Sequence, residues 1–200
     1  MCGPDVVYLI RHAEKPSDPA APGPKGHGVD IEGVRSAHSL TPRGWQRAGA
    51  LALLFTGSVS GHAGPLVRPD RLLAVRYGSR AQSARHRACQ TLTPLSAVSE
   101  VHIELPFGED EEKELAASIL ASSNHATLVA WEHKRIPRIA GALPVAAGTE
   151  IPDEWPDERF DMIWCFTRRS GSAAVYDFQQ LDQRLLAGDV GLPALTPAPR

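Results

Sequence analysis

The chain has 200 residues, with 21 Lys and Arg against 23 Asp and Glu and a formal net charge of -2 at pH 7. This length fits a single domain, and the balanced charge argues against nucleic-acid or membrane partners, which call for a clearly basic face. Cys2, Cys89 and Cys165 form no CxxC pair, so neither a disulfide framework nor a zinc knuckle is indicated. With no signal-like segment and no apolar run of about 18 residues, we expect a cytoplasmic protein.

The first predicted element is a buried strand over residues 6–10, followed at once by Arg11 and His12. Five consecutive apolar residues are typical of a strand covered on both faces, which favours a central position in a parallel sheet. Ligands of open parallel sheets bind beyond the carboxyl ends of the strands, where this Arg-His pair lies. A strand end with two solvated side chains would give the same dipeptide, so the pair alone is weak evidence of a site.

A long loop and a helix are predicted next. Residues 16–39 are rich in Pro and Gly and directly follow the Arg-His pair, so we expect an active-site lid loop, the alternative being a flexible insertion. Thr41 and Pro42 predict the start of a helix that Gly57 ends. Its apolar residues recur at helical spacing and predict one face packed on the sheet: Trp45, Ala48, Ala52 and Phe55.

A short strand over residues 72–77 and a helix entered near Ser83 and disrupted by Pro94 are predicted to follow. Four arginines crowd this region of the chain: Arg76, Arg80, Arg85 and Arg87. A solvated basic face is the default interpretation of such a run, and a nucleic-acid patch is the next. A phosphate pocket needs only one or two of the four.

Strand and helix patterns continue to alternate in the second half. Strands are predicted at 101–105 and 126–131, helices after Gly108 and from Ile136, and His133 closely follows the second strand. An irregular loop then leads to two final strands in a hairpin, a helical turn at 182–186 and a mobile tail at 192–200. The pattern predicts one domain over residues 1–200, a three-layer α/β/α sandwich with a mostly parallel central sheet.

Two histidines and at least one arginine thus follow separate elements whose ends meet at one edge of the predicted sheet. Phosphoryl transfer needs a nucleophile in line with the leaving group and cationic donors for the equatorial oxygens. The planar fork of arginine binds two phosphate oxygens at once. A phosphate site at this edge is therefore expected.

Four segments resemble the histidine phosphatase superfamily, the phosphoglycerate-mutase-like group. Arg11-His12-Ala13 resembles its Arg-His-Gly motif, and LTPRGWQRA at residues 40–48 resembles its Leu-Thr-x-x-Gly-x-x-Gln-Ala helix start. SARHRACQT at residues 83–91 resembles its Ser-x-x-x-Arg-Ala-x-Gln-Thr segment, and His133 takes the place of its second histidine.

The resemblance implies roles for four of these residues. His12 would be the nucleophile that becomes phosphohistidine, and Arg11, Arg87 and His133 would hold the phosphate. No metal and no other cofactor is implied. The residues agree with this, because nearby arginines disfavour an imidazolium and keep an imidazole neutral for attack.

The family generally supplies a carboxylic acid, between its second arginine and second histidine, that protonates the leaving alcohol. We assign this role to Glu109, at the expected junction between a strand and a helix. Glu104 and Asp110 are rivals, and a helix start favours carboxylates without any catalysis. Glu132 is a further candidate if its side chain points into the site, and inert if it points away.

Three residues depart from the family pattern. Ala13 stands in place of a glycine, Glu132 precedes His133 where a small residue is commoner, and Lys134 follows it where glycine or aspartate is often found. We therefore keep a catalytically weak, phosphate-binding regulatory module as an alternative.

The expected function is that of a metal-independent phosphomonoester hydrolase whose partner is a phosphorylated substrate, either a small metabolite or a phosphoprotein. A phosphomutase of the same family is the other alternative, although such mutases are usually longer than this chain. The substrate is set by the lid and by surrounding cations, whose directions the sequence does not give.

Overall fold

The structure is a computed structural model that describes residues 3–16, 27–57, 66–77, 86–170 and 175–189. Several predictions fall outside these ranges and stay predictions. They are the part of the lid loop at residues 17–26, the helix start near Ser83, the side chains of Arg80 and Arg85, and the mobile tail at 192–200.

A six-stranded sheet with the order β3-β2-β4-β1-β5-β6 forms the centre of the molecule. Its strands are β1 (Val6–Arg11), β2 (Arg71–Ala74), β3 (Ile103–Glu104), β4 (Ala126–Trp131), β5 (Met162–Arg168) and β6 (Tyr176–Asp182). The first four run parallel to one another, and the final hairpin of β5 and β6 joins antiparallel beside β1. The prediction of a mostly parallel sheet is confirmed.

Four helices cover this sheet: α1 (Pro42–Phe55), α2 (His86–Ser99), α3 (Glu112–Ala121) and α4 (Ile136–Ala140). Helix α1 packs on α2, and α3 packs on α4. Every residue of β1 and β4 is buried, so both faces of the sheet are covered, one by each pair of helices. None of the helices in the described ranges is both long enough and apolar enough to cross a bilayer.

The register of β1 on β4 fixes the position of the candidate site. Val6 pairs with Ala126 and Arg11 with Trp131, so the two central strands end side by side. Because both chains leave the sheet at the same edge, the residues after β1 and the residues after β4 start from adjacent positions.

The start of α1 is built against the chain that leaves β1. Thr41 caps the helix by accepting from the Gly44 backbone N–H at 3.1 Å, as its sequence predicts. The Thr41 backbone N–H and hydroxyl both donate to the Glu14 carbonyl, at 2.9 and 3.2 Å. A Cβ on Gly44 would lie 2.5 Å from that carbonyl oxygen, so only glycine permits this approach.

Two local predictions are wrong. Pro94 does not disrupt the second helix, which runs through it to Ser99, because Leu92 and Leu95 are each 1% exposed and hold the helix on the core despite the lost hydrogen bond. Residues 182–186 form no helical turn, because β6 extends to Asp182 and the next backbone N–H groups bond instead to the Asp189 carboxylate.

Candidate active site

The four residues expected to hold phosphate are all buried at the edge where β1 and β4 end. Arg11 is 2% exposed, His12 6%, His133 3% and Arg87, at the start of α2, 8%. The charges of Arg11 and Arg87 both act on the His12 ring, and Asp157 contacts both Arg11 and His133. The structure therefore gathers into one cluster four residues from three segments that are far apart in the sequence.

One ring nitrogen of His12 is hydrogen-bonded to the backbone, and the other keeps its lone pair. Its Nδ1 lies 2.8 Å from the Ala13 carbonyl oxygen, which can only accept, so Nδ1 carries the hydrogen and Nε2 keeps its lone pair. Burial, and then the charges of Arg11, Arg87 and Lys15, lower the pKa of His12 to about 3. The imidazole is therefore neutral at physiological pH, as a nucleophile must be.

The backbone around His12 is tied to β4 and to α2. The His12 backbone N–H donates to the Trp131 carbonyl at 3.1 Å, and the Ala13 backbone N–H donates to the Thr91 hydroxyl at 2.8 Å. That hydroxyl itself donates to the Arg87 carbonyl at 2.8 Å. Thr91 thereby joins the backbone beside the histidine to the backbone of the second arginine.

Arg11 and Arg87 are buried cations that donate to backbone carbonyls. Arg11 donates to the backbone carbonyls of Asp157 and Arg159 and stacks on Phe160, with its guanidinium carbon 3.8 Å from the ring centroid. Arg87 donates to the Ala37 carbonyl at 2.8 Å.

No carboxylate in the described ranges lies within ion-pair distance of either guanidinium, and the Nε atoms of both are buried without a partner. Burial lowers the pKa of both side chains to about 10, so they stay charged. Because buried charges are normally paired, these two favour binding of an anion.

His133 lies between two carboxylates. Its Nε2 is 2.6 Å from an oxygen of Asp157, and its Nδ1 is 2.8 Å from an oxygen of Glu132, an ion-pair distance without hydrogen-bond geometry. Burial alone would raise the pKa of Glu132, but the contact with His133 and the nearby Lys134 bring it below its usual value. Glu132 is therefore a carboxylate that faces His133, and its role as a proton donor stays a prediction.

Two of the other proposed proton donors are paired with arginines that do not belong to this cluster. Glu104 pairs with Arg71 at 3.0 Å, at the start of β2 rather than at its carboxyl end. Asp110 pairs with Arg135, and the charge of Glu109 also acts on Arg135. The role of Glu109 stays a prediction.

The described half of the predicted lid, residues 27–39, packs against the start of α2. It supplies the Ala37 carbonyl that accepts from Arg87, and its Ser39 hydroxyl contacts His86 at 3.2 Å and accepts from Gln90 at 3.1 Å. This part of the loop therefore forms one wall beside the second arginine.

Sequence reasoning missed Asp157 and Phe160, which come from the irregular loop before β5. A single aspartate and a single phenylalanine in a loop carry no periodic signal, so nothing in the sequence marked them. It also assigned no role to Lys15, a half-buried residue whose pKa is lowered by burial and then by Arg11 and Arg87. Lys15 adds positive charge to the same cluster.

A buried ion cluster supports the chain just beyond His12. Arg47 of α1 is 2% exposed and lies 2.8 Å from a Glu14 carboxylate oxygen and 2.7 Å from an Asp189 oxygen. The cluster connects α1, the residue that follows Ala13, and the segment after β6. Within the described ranges, no group of three or more His, Cys, Asp or Glu side chains is arranged to hold a metal ion.

No protein-family profile matches the chain, and no curated protein is significantly similar to it in sequence. Solved structures do resemble it. The protein histidine phosphatase SixA complexed with tungstate is 17% identical with a TM-score of 0.49, and the match covers 89% of this chain and 97% of that one.

A protein assigned as the phosphohistidine phosphatase SixA from Agrobacterium tumefaciens is 17% identical with a TM-score of 0.48, over 89% of this chain and 97% of the other. A protein assigned as an alpha-ribazole-5'-P phosphatase from Escherichia coli str. K-12 substr. MG1655 is 14% identical with a TM-score of 0.45, over 92% and 98%.

Proposed function

We propose that the protein is a metal-independent phosphomonoester hydrolase that forms a phosphohistidine intermediate on His12. The observation that supports this most directly is a neutral, buried imidazole beside two buried guanidiniums, Arg11 and Arg87, with which no carboxylate of the described residues forms an ion pair. A phosphoryl group supplies the negative charge that would balance these cations, and its oxygens can accept two hydrogen bonds from the planar fork of a guanidinium.

The reaction proceeds in two displacements. The Nε2 lone pair of His12 attacks phosphorus as the bond from phosphorus to the ester oxygen breaks, and the alcohol leaves with a proton. Water then attacks the phosphohistidine, the P–N bond breaks, and inorganic phosphate is released. Arg11 and Arg87 bind the equatorial oxygens, where charge accumulates in both transition states.

The pKa of His12 suits this role. Because the pKa of His12 is about 3, the imidazole needs no deprotonation before it attacks. The same positive charges that lower this pKa attract the substrate dianion, so one arrangement both keeps the nucleophile neutral and binds the phosphate. The substrate is a phosphomonoester, either a small metabolite or a phosphoprotein.

The test is a screen of phosphate monoesters for release of inorganic phosphate, with a chelator present throughout. We expect wild type to hydrolyse at least one ester, His12→Asn to be inactive, and the exposed control His102→Asn to match wild type. Activity that survives in His12→Asn, or that the chelator abolishes, would contradict the proposal. Transfer of the phosphoryl group to a second hydroxyl without release of phosphate would identify a mutase.

A further inference from the structure

The reaction needs an acid to protonate the leaving alcohol, and we propose that this acid is Asp157, acting on the same site and therefore resting on the proposed function. Without a proton, an alkoxide is a poor leaving group, and a positioned acid typically contributes about 10²- to 10⁴-fold in rate. Asp157 lies after the second histidine in sequence, so neither the motifs nor their order indicated it.

The backbone of Asp157 is fixed at the site while its carboxylate faces solvent. Its carbonyl oxygen accepts from Arg11, and the same guanidinium reaches the Arg159 carbonyl at 3.4 Å. Arg159 is in turn held by Asp161 at 2.5 Å and by Asp182 at 3.0 Å. The Asp157 side chain is nevertheless 70% exposed, so it stands at the mouth of the site, where the leaving group of a bound ester must exit.

The carboxylate of Asp157 occupies a place that a phosphate oxygen would take. One of its oxygens is 2.6 Å from Nε2 of His133, a nearly buried ring that can donate to the phosphoryl group. A substrate that binds Arg11 and His133 must move this carboxylate aside. Because the hydrogen bond from Arg11 holds the Asp157 backbone in place, the displaced carboxylate stays close to the bound ester.

The other carboxylates are less suitable. Glu104 and Asp110 are paired with Arg71 and Arg135, outside the cluster. Glu132 faces Nδ1 of His133, the ring nitrogen opposite the one that faces the mouth. Of the carboxylates in the described ranges, Asp157 combines contact with the phosphate-binding residues and a position on the exit side.

Displacement by substrate changes the protonation that Asp157 prefers. The hydrogen bond to His133 lowers the pKa of Asp157 and favours its ionised form. When a dianionic phosphoryl group binds His133 in place of Asp157, its negative charge lies next to the Asp157 carboxyl group and favours the neutral, protonated form of that group. Asp157 then takes a proton from solvent or from a monoanionic ester.

The protons balance over the two steps. As His12 attacks, the bond from phosphorus to oxygen breaks and the leaving oxygen takes the proton of Asp157, which becomes a carboxylate. In the second step that carboxylate accepts a proton from the attacking water as the P–N bond breaks. Asp157 is then again the neutral acid that it was at the start of the first step, and it loses this proton to solvent when phosphate leaves, with alcohol and phosphate as the products.

The test is the dependence of the effect of Asp157→Asn on the leaving group. Nitrophenolate leaves without protonation, whereas an alkoxide does not, so 4-nitrophenyl phosphate and glycerol 2-phosphate are compared. We expect Asp157→Asn to lose about a hundred-fold or more in kcat/KM with the alkyl ester and less than about three-fold in kcat/KM with the nitrophenyl ester, because kcat/KM covers only the steps up to release of the leaving group. Asp157→Glu should recover part of the activity on the alkyl ester.

The matched control is Glu158→Gln, which removes the same charge from the adjacent exposed residue and should reduce both activities equally and slightly. Equal losses on both esters in Asp157→Asn would overturn the proposal, because a merely structural role does not depend on the leaving group. The proposal would also be overturned if Glu109→Gln, and not Asp157→Asn, lost much more activity on the alkyl ester than on the nitrophenyl ester. If wild type hydrolyses neither these nor any other monoester, the proposed function fails, and this assignment fails with it.

Discussion

The stability of the protein at mildly acidic pH is a direct measure of the environment of His12. Replacing His12 by Gln removes a group that the fold keeps neutral and that the unfolded chain protonates. We therefore expect the wild type to lose more stability than His12→Gln when the pH falls from 7.5 to 5.

The magnitude follows from the two pKa values. His12 has a pKa of about 3 in the folded protein, against about 6.5 in an unfolded chain. Between these values the unfolded state binds one more proton than the folded state, so the free energy of unfolding falls by about 1.4 kcal/mol for each unit of pH below about 6.5. At pH 5 the loss due to His12 is about 2 kcal/mol, and at pH 7.5 it is close to zero.

The assay is urea unfolding followed by circular dichroism, for both proteins at both pH values in buffers without phosphate. Any loss of packing in His12→Gln is present at both pH values and cancels in the difference. An equal pH dependence in the two proteins would refute the reasoning, as would an NMR titration of the His12 ring in wild type with a midpoint near pH 6.5.

Three further predictions concern the residues around the site. Arg87→Met removes a buried cation without a carboxylate partner, so calorimetry should show loss of inorganic phosphate binding while the free energy of unfolding stays within about 1 kcal/mol or rises; a large destabilisation would contradict this. Arg47→Met removes the buried cation that joins the Glu14 and Asp189 carboxylates, leaving them only the exposed Arg43, and should destabilise by about 3–5 kcal/mol in urea unfolding, and a loss below about 1 kcal/mol would count against a cooperative cluster. Gly44→Ala should destabilise by about 1–3 kcal/mol because its Cβ meets the Glu14 backbone, whereas Gly49→Ala, in open space on the same helix, should stabilise by about 0.5–1 kcal/mol; thermal unfolding that shifts in the same direction for both would refute the close approach.

The parts of the fold that depend on local signals were predictable from the sequence. Apolar runs predicted the two central strands, and the strand expected at residues 126–131 has those bounds. The cap at Thr41 predicted the start of α1 because the side chain and the backbone group that it satisfies are three residues apart. Pro94 misled because tertiary packing outweighed a local preference.

The parts of the site that depend on distant contacts were only partly predictable. His12 and His133 follow apolar strands, so their convergence followed from the rule for parallel sheets. Asp157 is brought to His133 by the path of an irregular loop, and no residue pattern near Asp157 specifies that path. Glu109 was chosen for its position in the sequence, and its role stays a prediction, because side-chain direction decides which carboxylate faces the site and sequence does not give that direction.

The central claim is most directly tested by trapping the covalent intermediate. Wild type is mixed with a radiolabelled phosphomonoester, quenched in alkali within one turnover, and digested for mass spectrometry. We predict label on the peptide that contains His12, stable in alkali and lost in acid, and no label in His12→Asn. Label on another residue, or hydrolysis by wild type without any phosphorylated protein at any quench time, would contradict the account.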